Sequence, residues 1–143
     1  MKGNTLRVTG VFNGVESAVC VHAVVRNGGY IDVENNTMSA VQGVILYGDT
    51  TVSSAGLLRV ADCIFFESTE EFESALVCLY GSVSLLSGAQ WRVEGNNVSA
   101  FSLLRRSNSQ HKIQLSGSGT TVVLAHNRQA DDSFLLLTWI SRT

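Results

Sequence analysis

Residues 76–100 read LVCLYGSVSLLSGAQWRVEGNNVSA, and this stretch decides the fold because both of its ends recur elsewhere in the chain. Residues 77–96 align with residues 44–63, which lie 33 positions earlier. Residues 93–100 repeat the pattern of residues 33–40. A period of this length is typical of proteins that are built from stacked structural repeats.

One valine marks the same place in each repeat. Successive anchor valines are separated by 25, 27, 33 and 30 residues, which predicts five coils of unequal length. Because equivalent residues of neighbouring coils stack on one another, we expect these valines to form one inward-facing ladder. The anchor valines are Val8, Val33, Val60, Val93 and Val123.

Each predicted coil contains a short alternating strand, a polar corner and a more continuous apolar strand such as Cys20–Val25 or Ala75–Tyr80. Alternation with period two, bounded by Gly, Asn and Ser, indicates strands and turns. The chain is therefore predicted to be all-β, a right-handed parallel β-helix of about five coils that forms a single segment, 1–143. We expect four residues to share one corner: Asn36, Cys63, Asn96 and His126.

The composition argues against several classes of partner. The chain is 15% charged with a formal net charge of −2, so it lacks the basic field that nucleic-acid binding needs. The pair Arg105 and Arg106 is interpreted as a solvated turn. No signal peptide is recognisable, and the longest apolar run, 134–140, is far shorter than the ~20 residues that span a bilayer. We expect no nucleic-acid partner and no membrane span within this segment.

The three cysteines, Cys20, Cys63 and Cys78, are too few and of odd number for the disulfide framework of a small secreted protein. None lies in a CxxC pair or at zinc-site spacing from a histidine. Cys20 and Cys78 sit among apolar residues, so we interpret them as small buried hydrophobes. A single disulfide between two of the three cysteines is the alternative interpretation.

Three long blocks of the chain carry a resemblance to a known family: LLRVADC (57–63), ESALVCLYGSVSLLSGAQWRVEGNNVSA (73–100) and QLSGSGTTVVLAHNRQADDSF (114–134). Over residues 3–134 the chain resembles the dispersed gene family of large surface proteins of trypanosomes. The resemblance implies a large repetitive protein with pectin-lyase-like β-helical ectodomain segments, with membrane-spanning helices elsewhere and a route through the secretory pathway. It implies adhesion to host matrix or cells, and it implies no catalytic residues. Residues 135–143 match less clearly.

The pectin-lyase-like shape also raises an alternative, a polysaccharide-processing enzyme or its degenerate relative. Asp131 and Asp132 are adjacent, but neighbouring strand residues point to opposite faces, whereas sugar hydrolysis places two carboxylates across one bond. The histidines His22, His111 and His126 are far apart in sequence. We therefore predict no enzyme activity, no cofactor and no metal site.

Two N-glycosylation sequons, 35–37 and 97–99, make Asn35 and Asn97 candidate glycosylation sites. Whether they are used depends on the secretory route that the resemblance implies. The loops 67–73 and 105–111 are predicted to present the surface that contacts a host matrix or cell-surface ligand.

The aromatic residues permit two interpretations, core packing or stacking on sugars, and we favour packing. Tyr47 and Tyr80 are one coil apart, so we expect them to stack as a ladder. The apolar run 134–140 is expected to be a last strand with an unprotected edge, through which the isolated chain would self-associate. The aromatic residues considered are Tyr30, Tyr47, Tyr80, Trp91 and Trp139.

Overall fold

The computed structural model of the chain describes residues 5–8, 11–22, 24–67, 74–99, 102–129 and 140–142. Every regular element within these residues is a β-strand. Neighbouring strands run parallel in each sheet. The described part of the chain is therefore all-β, and its parallel sheets stack as a β-solenoid, as the repeat predicted.

The strands form three sheets, which the chain visits in the order A, B and C. Sheet A contains β1 (Thr5–Val8), β4 (Tyr30–Glu34), β7 (Leu57–Ala61), β11 (Gln90–Glu94) and β15 (Thr121–Ala125). Sheet B contains β2 (Val11–Val21), β5 (Thr37–Tyr47), β8 (Ile64–Glu67), β9 (Ala75–Tyr80), β12 (Asn97–Ser99), β13 (Ser102–Arg106) and β16 (Arg128–Gln129). Sheet C contains β3 (Val24–Val25), β6 (Thr50–Val52), β10 (Val83–Leu86), β14 (Ile113–Ser116) and β17 (Ile140–Arg142).

About three turns are described through all three sheets, side chains included: β4 to β6, β7 to β10 and β11 to β14. In sheet B the long strand β5 pairs with β8 over its first part and with β9 over its second part. Ala40 pairs with Glu67, 27 positions later, whereas Gln42 pairs with Ala75, 33 positions later, so this turn contains an insertion of six residues. Such an insertion explains why the repeats differ in length.

Four of the five predicted anchor valines share one register. Val8 pairs with Val33, Val33 pairs with Val60, and Val60 pairs with Val93. The side chains of Val33, Val60 and Val93 are buried in the core. The predicted register is confirmed for these four valines, and the inward orientation is confirmed for Val33, Val60 and Val93.

The predicted position of the fifth anchor residue is wrong by one. Val93 pairs with Leu124, whereas Val123 pairs with Arg92. Leu124 packs against the core, and Val123 continues the column of Arg92 on the other face of the sheet. Since successive side chains of a strand alternate between faces, a slip of one residue exchanges the buried and the solvent-facing positions.

The same slip changes one member of the predicted corner. The main-chain carbonyls of Asn36, Cys63 and Asn96 each accept a 2.8 Å hydrogen bond from a main-chain amide of the turn that follows. Asn127, and not His126, is the next member of this column, since Asn127 Oδ1 accepts hydrogen bonds from Asn96. His126 belongs one position earlier, in a column of left-handed residues whose φ angles lie between 52° and 68°: Asn35, Asp62, Gly95 and His126.

The core lies between the three sheets and consists of side chains stacked turn upon turn. Burial of each large apolar side chain contributes roughly 1.5–3 kcal/mol, so these columns hold the turns together. The strand Ala75–Tyr80, predicted as apolar, is buried as far as Leu79. The largest fully buried side chains include Trp91, Phe65, Met38, Leu46, Leu58 and Leu85.

Three predicted boundaries need correction or lie outside the described residues. The predicted strand Cys20–Val25 is divided, because β2 ends at Val21 and β3 starts at Val24. Arg105 and Arg106 end the strand β13 and do not form a turn. The run 134–139 lies outside the described residues, and Ile140 opens β17, which pairs with β14.

Candidate functional site

The outer face of sheet A carries a network of ion pairs centred on Arg59. Its Nη1 lies 3.1 Å from Asp32 Oδ1 and 2.9 Å from Glu34 Oε2. Its Nε lies 3.1 Å from Glu94 Oε1. Asp32 and Arg59 are register partners on adjacent strands, so the parallel pairing of the solenoid itself brings these opposite charges together.

A second arginine completes the network. Arg92 is the register partner of Arg59 in the next turn, and its Nη2 lies 2.8 Å from Glu94 Oε2. Hydrogen bonds from Arg92 and Arg59 lower the pKa of Glu94 below its ordinary value. Burial acts to lower the pKa of Arg59, but its bonds to Glu94 and Glu34 outweigh burial and raise it. Both Arg59 and Glu94 therefore stay charged.

The ion pairs within this network limit its ability to act in catalysis. Glu94 is held as a carboxylate by two arginines, so it is poorly suited to give up a proton as a general acid. Among the residues that the structure describes, no three His, Cys, Asp or Glu side chains are grouped so that they could hold a metal ion. Sequence inspection missed this network, although the repeat already aligned Arg59 with Arg92.

The two candidate glycosylation sites lie at the same corner of the solenoid, between sheets A and B. Asn35 is exposed and has a left-handed φ of 55°. Asn97 is exposed at the first position of β12, two turns further along the axis. Turns are spaced like neighbouring strands, so the two side chains are separated by about 10 Å along the axis.

The cysteines differ in burial. Cys78 is buried, as predicted, but Cys20 is exposed, which contradicts its interpretation as a buried hydrophobe. Cys63 is buried in the corner column between Asn36 and Asn96, where burial raises the pKa of its thiol. No disulfide joins any two of these three residues, all of which lie in described strands or corners.

The remaining polar candidates are dispersed or lie outside the described residues. His22 is exposed and directly follows the last residue of β2. His111 Nδ1 lies 3.3 Å from the carbonyl oxygen of Leu79 and is part of the turn after β13. Asp131 and Asp132 lie outside the described residues.

Of the two loops predicted to contact a ligand, the structure describes only the second in full. Most of the loop 67–73 lies outside the described residues. The loop after β13 starts at Ser107, and Arg106 folds over it, with Nη1 donating to the carbonyl oxygens of Ser109 and His111 at 3.0 and 3.2 Å. This second loop is a compact turn that is held by its own strand.

The aromatic residues divide between core and surface. Trp91 is fully buried, as the packing interpretation predicted, and Tyr30 is half-buried. Tyr47 and Tyr80 are register partners in adjacent turns, which confirms the predicted pairing, but both are exposed, at 58% and 37%. The packing interpretation is therefore wrong for these two tyrosines. Trp139 lies outside the described residues.

The exposed tyrosines have defined neighbours. The ring of Tyr47 meets the ring of His22 edge to face, with 6.5 Å between the ring centroids and 75° between the planes. The hydroxyl of Tyr80 lies 3.1 Å from Nε2 of Gln42. We call the group formed by His22, Tyr47 and Tyr80 the aromatic corner.

Comparison of the chain with protein-family models, with curated proteins and with solved structures found no match. The described residues contain no helix with the length and apolar character that crossing a membrane requires.

Proposed function

We propose that this chain is a non-catalytic segment of a surface or secreted repeat scaffold and serves adhesion or host interaction. The observation that carries the proposal is a group of exposed hydrophobic side chains on the outer face of sheet B. Exposed hydrophobic side chains that gather on one face of a protein are characteristic of interaction surfaces. Of the five large exposed hydrophobic side chains in the described residues, four belong to sheet B: Tyr47, Ile64, Phe66 and Tyr80.

The exposed side chains of β8 stand out against polar neighbours. Ile64 lies between Thr37 and Asn97, and Phe66 lies between its register partners Ser39 and Ser99. Their exposed fractions are 49% and 42%. An apolar centre with a polar surround is the usual composition of a protein contact surface.

The finer description of the scaffold belongs to the proposal as well. We propose about five right-handed coils, supported by the five strands of sheet A and by the strong preference of parallel crossovers for the right-handed form. A stack of this kind is stiff because each turn contacts only its neighbours through continuous ladders. Stiffness suits a module that holds a contact face away from a membrane.

The resemblance to the dispersed gene family supports the cellular setting. We propose that the parent protein passes through the secretory pathway, is anchored in the membrane outside this segment, and carries glycans on Asn35 and Asn97. Both side chains are exposed, which glycosylation requires. Expression in a secretory host, with Asn35→Gln and Asn97→Gln variants and enzymatic deglycosylation, tests this by mass.

The alternative, a polysaccharide-processing β-helix, is favoured by one observation. Asp32, Glu34 and Glu94 converge on Arg59 at the outer face of one sheet. Their engagement by the arginine argues against catalysis, since glycoside cleavage needs one protonated and one free carboxyl group. Release of reducing or unsaturated sugar from pectin, abolished by Glu94→Gln, would establish the alternative and contradict the proposal.

The decisive experiment measures binding of the chain to immobilised matrix proteins and to host cells. The double variant Ile64→Ser with Phe66→Ser removes the apolar centre of sheet B and should weaken binding at least tenfold. Gln114→Ala, an exposed change on sheet C, is the matched control. Equal binding by all three proteins, or no binding by the unaltered chain, would refute a contact function for sheet B.

A further inference from the structure

We infer that the aromatic corner binds a neutral carbohydrate chain. This inference rests on the proposed adhesive function and names a ligand class for one end of the sheet B contact face. His22, Tyr47 and Tyr80 occupy equivalent places in three consecutive turns. Tyr47 and Tyr80 are register partners, and His22 follows Val21, the partner of Leu46.

The rings of the aromatic corner are held in place before any ligand arrives. Gln42 is 4% exposed, and its side-chain amide engages the Tyr80 hydroxyl at 3.1 Å. His22 packs edge to face against Tyr47. Fixed side chains lose little conformational freedom on binding, so more of the contact energy appears as affinity.

The backbone beneath the rings is equally constrained. The amide of Gly48 donates a 3.2 Å hydrogen bond to the carbonyl oxygen of Tyr80. A Cβ atom at Gly81 would overlap the backbone of Gly48. The two turns are thus in direct backbone contact immediately after the tyrosines, and the spacing of their rings is set by the solenoid.

Polar groups lie directly beside the aromatic corner. Asp49 follows Tyr47 by two positions, and its Oδ1 accepts a 2.9 Å hydrogen bond from the amide of Ser82. The Ser82 hydroxyl oxygen accepts a 3.1 Å hydrogen bond from the amide of Lys112. A sugar ring has an apolar C–H face that packs on aromatic rings and hydroxyls that bond to carboxylate and hydroxyl oxygens. The corner offers both kinds of contact side by side.

Other ligand classes fit less well. Single-stranded nucleic acid also stacks on aromatic rings, but it requires a positively charged groove, and the chain has a net charge of −2. A stable protein partner buries about 800 Å² on each side, which one ring pair and a histidine cannot supply. The Asp49 carboxylate beside the tyrosines repels an acidic sugar such as galacturonate, so a neutral sugar fits better.

Isothermal titration calorimetry with neutral hexasaccharides of glucose, galactose, mannose and N-acetylglucosamine tests the inference, with a galacturonate hexasaccharide as the charged comparison. We expect at least one neutral hexasaccharide to bind, and Tyr47→Ala to weaken that binding at least tenfold. Tyr80→Phe, which removes the hydroxyl bonded to Gln42, should weaken it severalfold. Gln114→Ala, an exposed change on sheet C, should leave it unchanged. Thermal melting checks that each variant is folded.

The inference is overturned if no neutral hexasaccharide binds, if only the galacturonate binds, or if Tyr47→Ala binds as well as the unaltered chain. Its failure is distinguishable from failure of the proposed function. A chain that binds matrix proteins through Ile64 and Phe66 but binds no hexasaccharide retains the adhesive function and loses the carbohydrate site.

Discussion

The main-chain amide of Cys63 donates a 2.9 Å hydrogen bond to Oδ1 of Asn96, one turn further along the solenoid. The side-chain amide of Asn96 donates to the carbonyl oxygen of Val60 at 3.1 Å. Asn127 repeats the pattern one turn later, donating to the carbonyl oxygen of Val93 at 2.8 Å. We call the corner residues Asn36, Cys63, Asn96 and Asn127 the asparagine column. This column links turns through side chains, in addition to the backbone ladders, at the point where the chain leaves sheet A.

Asn96→Ala should destabilise the protein by about 2–4 kcal/mol, because it leaves the buried amide of Cys63 without its acceptor and removes the bond to Val60. Urea unfolding followed by circular dichroism measures the loss. Asn97→Ala, an exposed change at the next position, is the control and should cost far less. Equal effects would show that the column is not a source of stability.

Cys63→Asn should stabilise the protein by about 1 kcal/mol, because it completes the asparagine column. The cysteine sulfur is a weak acceptor, and the side-chain amide of Asn36 reaches it only at 3.9 Å. Cys63→Leu, which offers no acceptor at all, should destabilise. A melting temperature that falls with Asn as far as with Leu would mean that the corner has no room for the amide.

Thr50→Val should stabilise the protein by roughly 1 kcal/mol. Thr50 is fully buried, and no hydrogen-bond partner of its Oγ1 lies within the part of the chain that the structure describes. Its register partner Val83 shows that the column accepts a valine. A buried hydroxyl without a partner costs free energy, and valine has nearly the same shape. Destabilisation in urea unfolding would reveal a partner for the hydroxyl.

Leu124→Asp should destabilise the protein strongly, and Val123→Asp should do so much less. Leu124 lies above Val93 and packs against the core, whereas Val123 follows Arg92 on the outer face, where a carboxylate meets a favourable charge. Thermal melting of the two variants distinguishes the observed register from the register that the sequence alone predicted. The reverse order of melting temperatures would restore Val123 to the ladder.

Glu94→Gln should make the folding stability of the protein less dependent on pH in the acid range. The folded-state pKa of Glu94 is lowered by its hydrogen bond with Arg92, so its contribution is present above the unfolded pKa of about 4.3. That contribution disappears as the pH falls through the lower, folded-state pKa. The melting temperature of the variant should therefore be lower than that of the unaltered chain at pH 7. In strong acid the two melting temperatures should be equal. A constant difference across pH would exclude this linkage.

The sequence by itself determined the architecture. The repeats around Val33, Val60 and Val93 predicted parallel stacking, since side chains that recur at equal places in successive turns can share one core only if the turns lie on each other. The equivalence of Tyr47 and Tyr80 followed from the same alignment. The last repeat resisted prediction, because one residue more between Val93 and its partner reverses which side chains face the core.

Only the tertiary structure decided what the outer faces carry. Asp32, Arg59 and Glu94 lie far apart in sequence and form a network because parallel register sets their strands side by side. The exposure of Tyr47 and Tyr80 was equally out of reach, since a column of aromatic residues has the same sequence pattern on either face of a sheet. Sequence periodicity shows that residues stack, whereas the way the three sheets enclose the core determines whether the stack faces the core or the solvent.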